Sequence, residues 1–441
     1  MKMSFFELYL VTFNCERRLV SPEALAPNLF DALPPSQAIP DLFAISLQEL
    51  APISYSFLGG SFLSPYFEQV SAAVQLAADI RSNGQQKLEH VATRSIGMTG
   101  LMVFAKPDFA ERIRWMQDGS VGVGFWNMGN KGAVGLRLGI TADGGDLEEN
   151  NEQLILTLVA AHLAPMEWNV ERRNQDWENI VRNLVFTSSD SLEVPSIDEQ
   201  PLLSSQRSLL PPDNSGIYEI ANHVFFAGDL NYRTNDNPPG KTAHTTFPQP
   251  TESKSSPQHL SHLLATDQLN RERAANRTLH GFEETAITFP PTYKYSIKEI
   301  RRLRSQNPSS TGAEEHWPWA THRWPSFTDR ILYTATSLPE LEIRTYTALP
   351  LQPTSDHRPV ALSLRVKLEP LASERGHDLQ YKRPFPINPY WKTRKNIARS
   401  LELVVGISSY LALTRTGNAI LVVVSGISIA TWWMVHWIQG Y

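Results

Sequence analysis

The chain has 441 residues, of which 41% are hydrophobic and 19% are charged, and its formal net charge is −5. This composition excludes a disordered protein, and the charge lacks the basic excess that is typical of nucleic-acid-binding domains. The single cysteine, Cys15, excludes an intrachain disulfide and a cysteine-based zinc site. The apolar N-terminal stretch is interrupted by Glu7 and has no small-residue cleavage site, so we interpret it as a first core strand rather than a signal peptide.

Short apolar runs typical of strands recur along the first 366 residues, with few helical patterns between them. The predicted strands cover residues 8–13, 43–47, 101–105, 133–140, 154–161, 224–227, 286–289, 330–334 and 360–366. Helical spacing predicts helices over residues 67–80 and 171–186. This order favours a layered α/β or α+β domain with helices packed outside central sheets. Polar or Ser/Pro-rich stretches predict loop insertions at 188–215, 234–258 and 305–315.

The composition changes after about Leu368. Residues 369–388 are polar and interrupted by prolines, and residues 392–399 contain four basic residues and no acidic one. Residues 417–438 contain no Lys, Arg, Asp or Glu and are long enough to cross a bilayer core of about 30 Å. Three tryptophans near the end of this stretch suit the aromatic belt of a membrane interface. A transmembrane helix is therefore predicted at 417–438.

These changes divide the chain into a large domain and a membrane anchor. The expected parts are the large domain at 1–368, a polar then basic linker at 369–400, an apolar juxtamembrane segment at 401–416 and a transmembrane tail anchor at 417–438. Positive charge on the N-terminal side of the span places the large domain in the cytosol. Two interpretations stay open for residues 401–413, namely a position in the membrane interface and an extension of the anchor.

Polar side chains stand where the predicted strands end, which is the usual place for a functional site in layered folds. These residues are Asn14, Gln48, Glu49, His162, Asp229, Asn231, Asp356 and His357, and Asp329 precedes a further strand. The combination suits the hydrolysis of a phosphoester. Asp229 would orient and deprotonate the attacking water. Glu49, with Asn14 and retained waters, would hold Mg²⁺, which prefers oxygen ligands and few protein carboxylates.

The charge that develops on the phosphoryl group also needs donors and cations. Asn231 and a protonated His357 can donate hydrogen bonds to it, and Asp329 is the candidate carboxylate that keeps the imidazole charged and oriented. Further phosphates on a substrate would be bound by cationic side chains, namely Lys131, Lys294 and Arg323.

Eight stretches carry a resemblance to a known family. They are TFNCE, SLQEL, NMGNKGAVGLRL, AHLAPMEWNVERRNQDW, FFAGDLNYR, GFEETAITFPPTYKY, RWPSFTDRILY and SDHRPV, and they span residues 11–366. On these residues the sequence resembles the inositol polyphosphate 5-phosphatases, members of the endonuclease/exonuclease/phosphatase superfamily. GDLNYR, PPTYKY and SDHRPV are specific to this family, whereas the wider superfamily keeps only shorter cores. The resemblance implies a four-layered α/β/β/α sandwich.

The resemblance also implies a role for individual residues. Glu49 would be the principal Mg²⁺ ligand, with Asn14 nearby and Asp356 close to the metal. The residues implied to act at the scissile phosphate and its attacking water are Asp229, Asn231, His162, His357 and Asp329. Those implied to bind the 4-phosphate, next to the departing 5-phosphate, are Tyr293, Lys294 and Arg323. Those implied to face the 1-phosphate are Asn130 and Lys131.

Two positions depart from the family pattern. Met166 stands where the family often has a second histidine, four residues after His162. Phe327 and Thr328 replace the usual Trp-Cys before Asp329. Neither position carries an essential charge, so these departures bear on substrate preference or packing rather than on activity.

The expected function is Mg²⁺-dependent hydrolysis of the 5-phosphate of phosphoinositides, with phosphatidylinositol 4,5-bisphosphate converted to the 4-phosphate at a cytosol-facing membrane. One domain with a C-terminal anchor resembles the yeast-type, tail-anchored members of the family in the endoplasmic reticulum, which implies that location. No nucleic acid is expected as a partner. Two alternatives stay open: the same fold acting on nucleic acid or sphingomyelin, and an inactive membrane tether. PPTYKY argues against the first, and the complete set of catalytic groups argues against the second.

Overall fold

The computed structural model describes residues 4–142, 153–188, 214–218, 222–306, 316–370 and 383–439. Two predicted insertions, at 188–215 and 305–315, lie mostly outside the described residues. Part of the linker predicted at 369–400 also lies outside them. The insertion predicted at 234–258 is described, and it contains neither a strand nor an α-helix.

The described residues form two β-sheets with helices on their outer faces. In chain order the strands are β1 (Phe5–Asn14), β2 (Leu42–Gln48), β3 (Glu89–Ile96), β4 (Thr99–Ala105), β5 (Ile113–Gly122), β6 (Gly132–Thr141), β7 (Gln153–His162), β8 (Thr187–Ser188), β9 (His223–Asp229), β10 (Phe282–Glu283), β11 (Asp329–Thr334), β12 (Leu341–Ala348) and β13 (Val360–Lys367). The helices are α1 (Pro22–Leu25), α2 (Ile53–Leu58), α3 (Ser64–Ser82), α4 (Pro107–Ala110), α5 (Val170–Asn183), α6 (Ser261–Ala265), α7 (Gln268–Ala274), α8 (Ile297–Gln306), α9 (Trp391–Leu413) and α10 (Arg415–Ile438).

The first sheet has the order β12-β13-β1-β2-β4-β3, and the second has the order β10-β11-β9-β7-β6-β5-β8. Two of the pairs are parallel, β1 with β2 and β7 with β9. Parallel strands end at the same edge of a sheet, and accordingly Asn14 lies opposite Gln48, and His162 opposite Asp229. β11 runs antiparallel to β9 and begins with Asp329 opposite Asp229. The polar ends of the strands therefore collect at neighbouring edges.

Side-chain alternation along the strands builds three apolar layers. On β1, Leu8 and Leu10 belong to the core between the two sheets, whereas Tyr9 and Val11 belong to the core beneath α3. On the far side of the second sheet, the fully buried Trp177 anchors α5 in a third apolar cluster. The order of helix, sheet, sheet and helix confirms the four-layered α/β/β/α sandwich.

Several predicted elements need correction. Residues 286–289 form no strand, because Pro290 and Pro291 follow directly and provide no N–H for a ladder; the two-residue β10 pairs with β11 instead. α5 ends at Asn183 rather than 186, and Phe186 forms a β-bridge with Ser215. The sequence does not predict β3, β5 and β12, because polar residues on their partly exposed faces interrupt the apolar runs.

The C-terminal region is helical from Trp391 onward. α9 joins the basic cluster at 392–399 and the stretch 401–413 into one helix, which packs against α2 of the large domain. α10 has 24 residues and is long and apolar enough to cross a membrane by length and composition, and its apolar stretch is exposed. A candidate transmembrane helix therefore begins at Arg415, two residues before the predicted start.

Candidate active site

Asp229, at the end of β9, lies at the centre of the polar residues that close the strands. Its Oδ2 accepts a hydrogen bond from Asn14 Nδ2 at 2.9 Å, so the two sheets meet here. His162 Nε2 lies 3.3 Å and His357 Nε2 lies 4.0 Å from the same oxygen. Asn231 donates its backbone N–H to Asp229 Oδ1 at 3.1 Å. Burial would raise the pKa of Asp229, but the hydrogen bond from His162 and the charge of His357 hold it well below its ordinary value.

His357, in the loop before β13, is held by a carboxylate on β11. Its Nδ1 lies 2.9 Å from Asp329 Oδ2. The same oxygen accepts hydrogen bonds from Thr292 Oγ1 at 2.6 Å and from Thr328 Oγ1 at 2.9 Å. Burial by itself would lower the pKa of His357, but Asp329 and two further carboxylates raise it to about 10. The side chain is therefore an imidazolium at neutral pH.

Glu49 follows β2 with a left-handed backbone, at a φ of 45°. Its carboxylate lies 3.4 Å from Lys131 Nζ and 3.1 Å from Arg17 Nε. Burial would raise the pKa of Glu49, but the charges of Lys131 and Arg17 oppose that effect, and its pKa is lowered. Lys131 Nζ also lies 2.6 Å from His162 Nε2. Burial and the charge of Lys131 lower the pKa of His162, which keeps this imidazole neutral.

A second group of side chains adjoins His357 and supplies cations. Lys294 forms an ion pair with Asp356. Burial would lower the pKa of Lys294, but Tyr293 and Asp356 outweigh it and raise that pKa. The Tyr293 ring packs against the His357 ring with centroids 4.6 Å apart, and the Arg233 guanidinium stacks on Tyr293 at 4.3 Å. Arg233 is only 2% exposed, and its Nη1 has no hydrogen-bond partner among the described residues.

Arg323 and Asn130 are held by contacts of their own. Arg323 Nη2 lies 3.3 Å from Met166 Sδ, and its Nη1 lies 3.7 Å from the fully buried carboxylate of Glu167. Met166, a departure from the family pattern, therefore contacts a predicted substrate-binding residue. Asn130 Oδ1 is buried against Gly124 and finds no hydrogen-bond partner in the part of the chain that the structure describes. Asn130 is thus the predicted residue with the weakest link to the cluster.

Further described side chains that touch this cluster are not among the residues that the sequence predicts. They include Arg17, Arg233, Thr292, Thr328 and Ser355. Ser355 Oγ accepts the backbone N–H of His357 at 3.0 Å and donates to the backbone oxygen of Asn14 at 2.6 Å. Arg233, Thr292 and Ser355 lie in or beside the motifs GDLNYR, PPTYKY and SDHRPV, so the motifs contained a signal. Arg17 directly follows TFNCE and Thr328 lies in RWPSFTDRILY, but neither position is singled out by these motifs as a site residue.

Among the described residues, two groups of side chains are candidates for holding a metal ion. One ligand atom from each of Asp229, Asp329 and His357 lies within 4.8 Å of the others. In this trio His357 Nδ1 and Asp329 Oδ2 already contact each other at 2.9 Å. Glu49 and Asn14 stand at adjacent strand ends and offer a carboxylate and an amide oxygen, and Glu49 already attracts two cationic side chains. Oxygen donors of this kind fit a hard divalent cation such as Mg²⁺.

Large apolar side chains are exposed in the loops that follow β5 and β7. Phe125 and Trp126, in the β5–β6 hairpin that leads to Lys131, are 68% and 64% exposed. Their rings stack with centroids 4.8 Å apart. Trp168, in the loop after β7, is 58% exposed. Groups of exposed apolar side chains mark surfaces that contact a partner or a membrane.

Comparison with known proteins gives a family for most of the chain. The profile of endonuclease/exonuclease/phosphatase family 2 matches residues 11–363. A polyphosphatidylinositol phosphatase of Saccharomyces cerevisiae is 28% identical over 359 residues, which cover 79% of this chain and 26% of that protein. A type II inositol 1,4,5-trisphosphate 5-phosphatase of Mus musculus is 26% identical over 408 residues, which cover 90% of this chain and 32% of that protein. The chain therefore spans between a quarter and a third of the length of these relatives.

A solved structure has the same fold. It is the inositol polyphosphate 5-phosphatase domain of a synaptojanin, in complex with inositol (1,4)-bisphosphate and a calcium ion. The TM-score is 0.57 at 20% identity, and the match covers 90% of this chain and 93% of that domain. A structural likeness at 20% identity establishes the two-sheet α/β sandwich fold and does not by itself establish the activity.

Proposed function

Because the chain belongs to endonuclease/exonuclease/phosphatase family 2, we propose that it is a phosphoinositide 5-phosphatase that converts phosphatidylinositol 4,5-bisphosphate to phosphatidylinositol 4-phosphate. The names of the curated relatives support the reaction class, since they are phosphatases of polyphosphatidylinositol and of inositol trisphosphate. The observation that carries the proposal is the arrangement around Asp229. An ionised carboxylate lies there between the neutral imidazole of His162 and the imidazolium of His357.

In the proposed reaction Asp229 orients the attacking water. Its depressed pKa keeps the carboxylate ionised at neutral pH, so it accepts a hydrogen bond from water. The same depressed pKa makes it a weak base in the resting site, and the approach of an anionic phosphate raises its proton affinity. The hydrogen bonds from Asn14 and Asn231 fix both carboxylate oxygens and so fix the direction in which the water is held.

Cationic and hydrogen-bonding groups would stabilise the negative charge that develops on the phosphoryl oxygens. The imidazolium of His357 donates to it, and Asp329 keeps that ring charged and in one orientation. Asn231 supplies an amide donor, since its Nδ2 uses one hydrogen on the backbone oxygen of Leu163 and keeps a second. These donors are aligned before the substrate arrives, which is what stabilises a transition state at low reorganisation cost.

We propose Mg²⁺ as the cofactor, held by Glu49 and Asn14. When bound, it would neutralise charge on the phosphate oxygens and so favour attack by water. The resemblance implies Asp356 as a further neighbour of the metal, but its ion pair with Lys294 makes it in the first place a positioning group for that lysine.

The second phosphate of the substrate would be bound by Lys294 and Arg233, with Tyr293 between them as a stacking surface. The unpartnered Nη1 of the buried Arg233 supports an anionic ligand at this place, because a buried donor without an acceptor is costly. Arg323, held by Glu167, would serve the same phosphate. The exposed Phe125 and Trp126 support a lipid rather than a purely soluble substrate.

The test is substrate turnover by the 441-residue chain in detergent micelles, with Mg²⁺ or with EDTA. Released phosphate is measured for the inositol lipids and inositol phosphates, and separated cleavage products are measured for sphingomyelin and DNA. The substrates are phosphatidylinositol 4,5-bisphosphate, the 3,4,5-trisphosphate, soluble inositol 1,4,5-trisphosphate, sphingomyelin and abasic DNA. We expect Mg²⁺-dependent release from the bisphosphate lipid that leaves the 4-phosphate in place. Cleavage of DNA or sphingomyelin alone would move the chain to another branch of the family, and no release from any substrate would refute the proposed activity.

We further propose that α10 anchors the protein in a membrane with the large domain on the cytosolic side, in the endoplasmic reticulum as the family resemblance implies. The support is the length and apolar character of α10 and the basic residues at 392–399 before it. The tests are carbonate extraction, protease protection and co-fractionation with organelle markers. A protein that carbonate extracts, or whose large domain is protected from protease, would contradict this placement.

A further inference from the structure

We propose that Glu402 of α9 is a positioning residue for the active site, so that α9 belongs to the catalytic unit rather than to a passive tether. The inference rests on the proposed function, because the loop that Glu402 contacts leads to Lys131. α9 lies outside residues 11–363, the part that matches the family profile. Family membership therefore does not supply this contact.

Glu402 is only 3% exposed although it carries a carboxylate. Its Oε1 accepts the backbone N–H of Gly129 at 2.7 Å, across 273 positions of sequence. Its Oε2 lies 3.2 Å from Arg399 Nη1. A buried carboxylate is costly unless it is paired and hydrogen-bonded, and this one has both kinds of partner. The contacts with Gly129 and Arg399 therefore offset the cost of burying the Glu402 carboxylate.

A series of main-chain hydrogen bonds leads from this contact to the active site. Gly129 O accepts the N–H of Met98 at 3.0 Å, and Met98 O accepts the N–H of Leu50 at 3.1 Å. Leu50 directly follows Glu49. In the other direction, Lys131 lies two residues after Gly129, and its Nζ is 3.4 Å from the Glu49 carboxylate. The helix contact therefore acts on both the turn that carries Glu49 and the loop that carries Lys131.

The loop around Gly129 is packed between two elements, the turn at Gly97 and α9. A Cβ built on Gly129 would lie 2.6 Å from Ile96 Cγ1 and 3.1 Å from Glu402 Oε1. A Cβ built on Gly97, whose φ is +49°, would lie 2.2 Å from Gly129 O. Loss of the Glu402 contact frees the loop on the side of α9 and lets it move away from the turn at Gly97.

α9 is itself firmly docked on the large domain. Arg399 donates to the backbone oxygens of Phe57 and Leu58 at 2.6 and 3.2 Å, and so satisfies carbonyls in the last turn of α2. At Gly406 the two helices approach so closely that a Cβ would lie 3.0 Å from Phe57 Cβ. The carboxylate of Glu402 is therefore presented by a fixed helix and not by a mobile segment.

The candidate transmembrane helix continues from this docked helix. Thr414 is the single residue between α9 and α10; its N–H donates to Tyr410 O at 3.1 Å, and its Oγ1 accepts the N–H of Gly417 at 2.9 Å. α10 is thus joined to the Lys131 loop through α9 without a flexible linker. The helix that positions the loop also sets where the anchor leaves the domain.

The experiment compares full-length variants in micelles on soluble inositol 1,4,5-trisphosphate, so that membrane binding plays no part. Glu402→Ala should lower kcat/KM about tenfold, mostly through KM, and should raise the Mg²⁺ concentration for half-maximal activity. Glu402→Gln keeps a carbonyl oxygen for Gly129 and should restore most of the activity. Ser400→Ala is the matched control, because Ser400 is exposed and its hydroxyl donates to Asn396 O within α9 itself.

Hydrogen–deuterium exchange of the same proteins measures the contact without reference to activity. Glu402→Ala should speed exchange in peptides that cover 124–131, and Glu402→Gln should not. If Glu402→Ala does not fold, Glu402→Asp, whose shorter side chain cannot reach Gly129 without movement, replaces it. Unchanged KM, Mg²⁺ response and exchange would overturn the inference. A wild-type protein that releases phosphate neither from this substrate nor from phosphatidylinositol 4,5-bisphosphate would refute the proposed function instead, and exchange at 124–131 would then decide the inference alone.

Discussion

His357 keeps its proton far into the alkaline range because of the carboxylate beside it. Its pKa of about 10 lies above the ordinary value of about 6.5, so the charged form is favoured in the folded protein. The stabilising contribution of this charge is complete below about pH 6.5 and is lost as the pH rises through about 10. Activity that needs the imidazolium follows the same course: it persists through neutral pH and falls on the alkaline side.

Asp329→Asn tests this assignment. The amide carries no negative charge to stabilise the imidazolium, so the pKa of His357 falls below about 10, while Asp229 and Asp356 remain beside it. We expect the alkaline limb of kcat/KM to move from near pH 10 toward neutral pH, with a lower plateau. The measurement is a pH profile of phosphate release between pH 5 and 10. An alkaline limb at its original position would contradict a catalytic role for the imidazolium.

Asp229→Asn tests the central carboxylate. The amide keeps the size of the side chain and, with its oxygen toward Asn14, that hydrogen bond, but its nitrogen cannot accept the Asn231 N–H and the side chain cannot accept a proton from water. We expect kcat to fall by about a thousandfold, with an unfolding temperature and far-UV circular dichroism close to those of the wild type. Retained turnover in a folded variant would remove Asp229 from its proposed role.

The sequence predicts the site where a motif and a strand end coincide. Asp229, His162 and Asn14 close buried strands, and the parallel pairs bring such ends to one edge, so the cluster could be foreseen. Thr328 could not, because its contact with Asp329 depends on a side-chain rotamer and not on a pattern. Glu402 could not either, because its partner lies 273 positions away and a single acid on a helix predicts a solvated face.

At the scale of elements, buried strands are predictable and edge strands are not. β2, β4 and β9 are buried along their whole length, and each contains a mostly apolar run. β3 and β12 lie at the two edges of the first sheet and expose polar residues. Their strand character comes from pairing with a neighbour, which a local pattern does not contain.

β11 is tied to α7 by a buried ion-pair network. Arg330 is fully buried, and its Nη1 and Nη2 lie 3.0 Å from Asp267 Oδ1 and 2.5 Å from Glu284 Oε2. Arg330→Met should lower the free energy of unfolding by about 3–5 kcal/mol, because it leaves two buried carboxylates without their cation. Arg302→Ala, which breaks an exposed pair with Glu299 on α8, should cost less than about 1 kcal/mol. Chemical unfolding followed by tryptophan fluorescence measures both, and equal losses would contradict the structural role of the network.

At the scale of the whole molecule, the docked α9 determines where a soluble enzyme can be cut from its anchor. A cut after Leu368, the boundary predicted from composition, removes α9 together with its contact to Gly129. A cut after Thr414 keeps α9 and removes only residues 415–441, which contain the candidate transmembrane helix. The two truncations therefore separate the loss of the anchor from the loss of the helix that supports the active site.

We expect the protein that ends at Thr414 to partition into the aqueous phase of a detergent separation and to keep the full-length kcat/KM on soluble inositol 1,4,5-trisphosphate. Its rate on lipid vesicles should fall, because the anchor no longer holds the enzyme at a high effective concentration of substrate. The protein that ends at Leu368 should be soluble as well, yet should lose about tenfold in kcat/KM on the soluble substrate. A chain that ends at Thr414 and still partitions with detergent would show that membrane binding resides elsewhere. Equal activity of the two truncations on the soluble substrate would show that α9 does not support the chemistry.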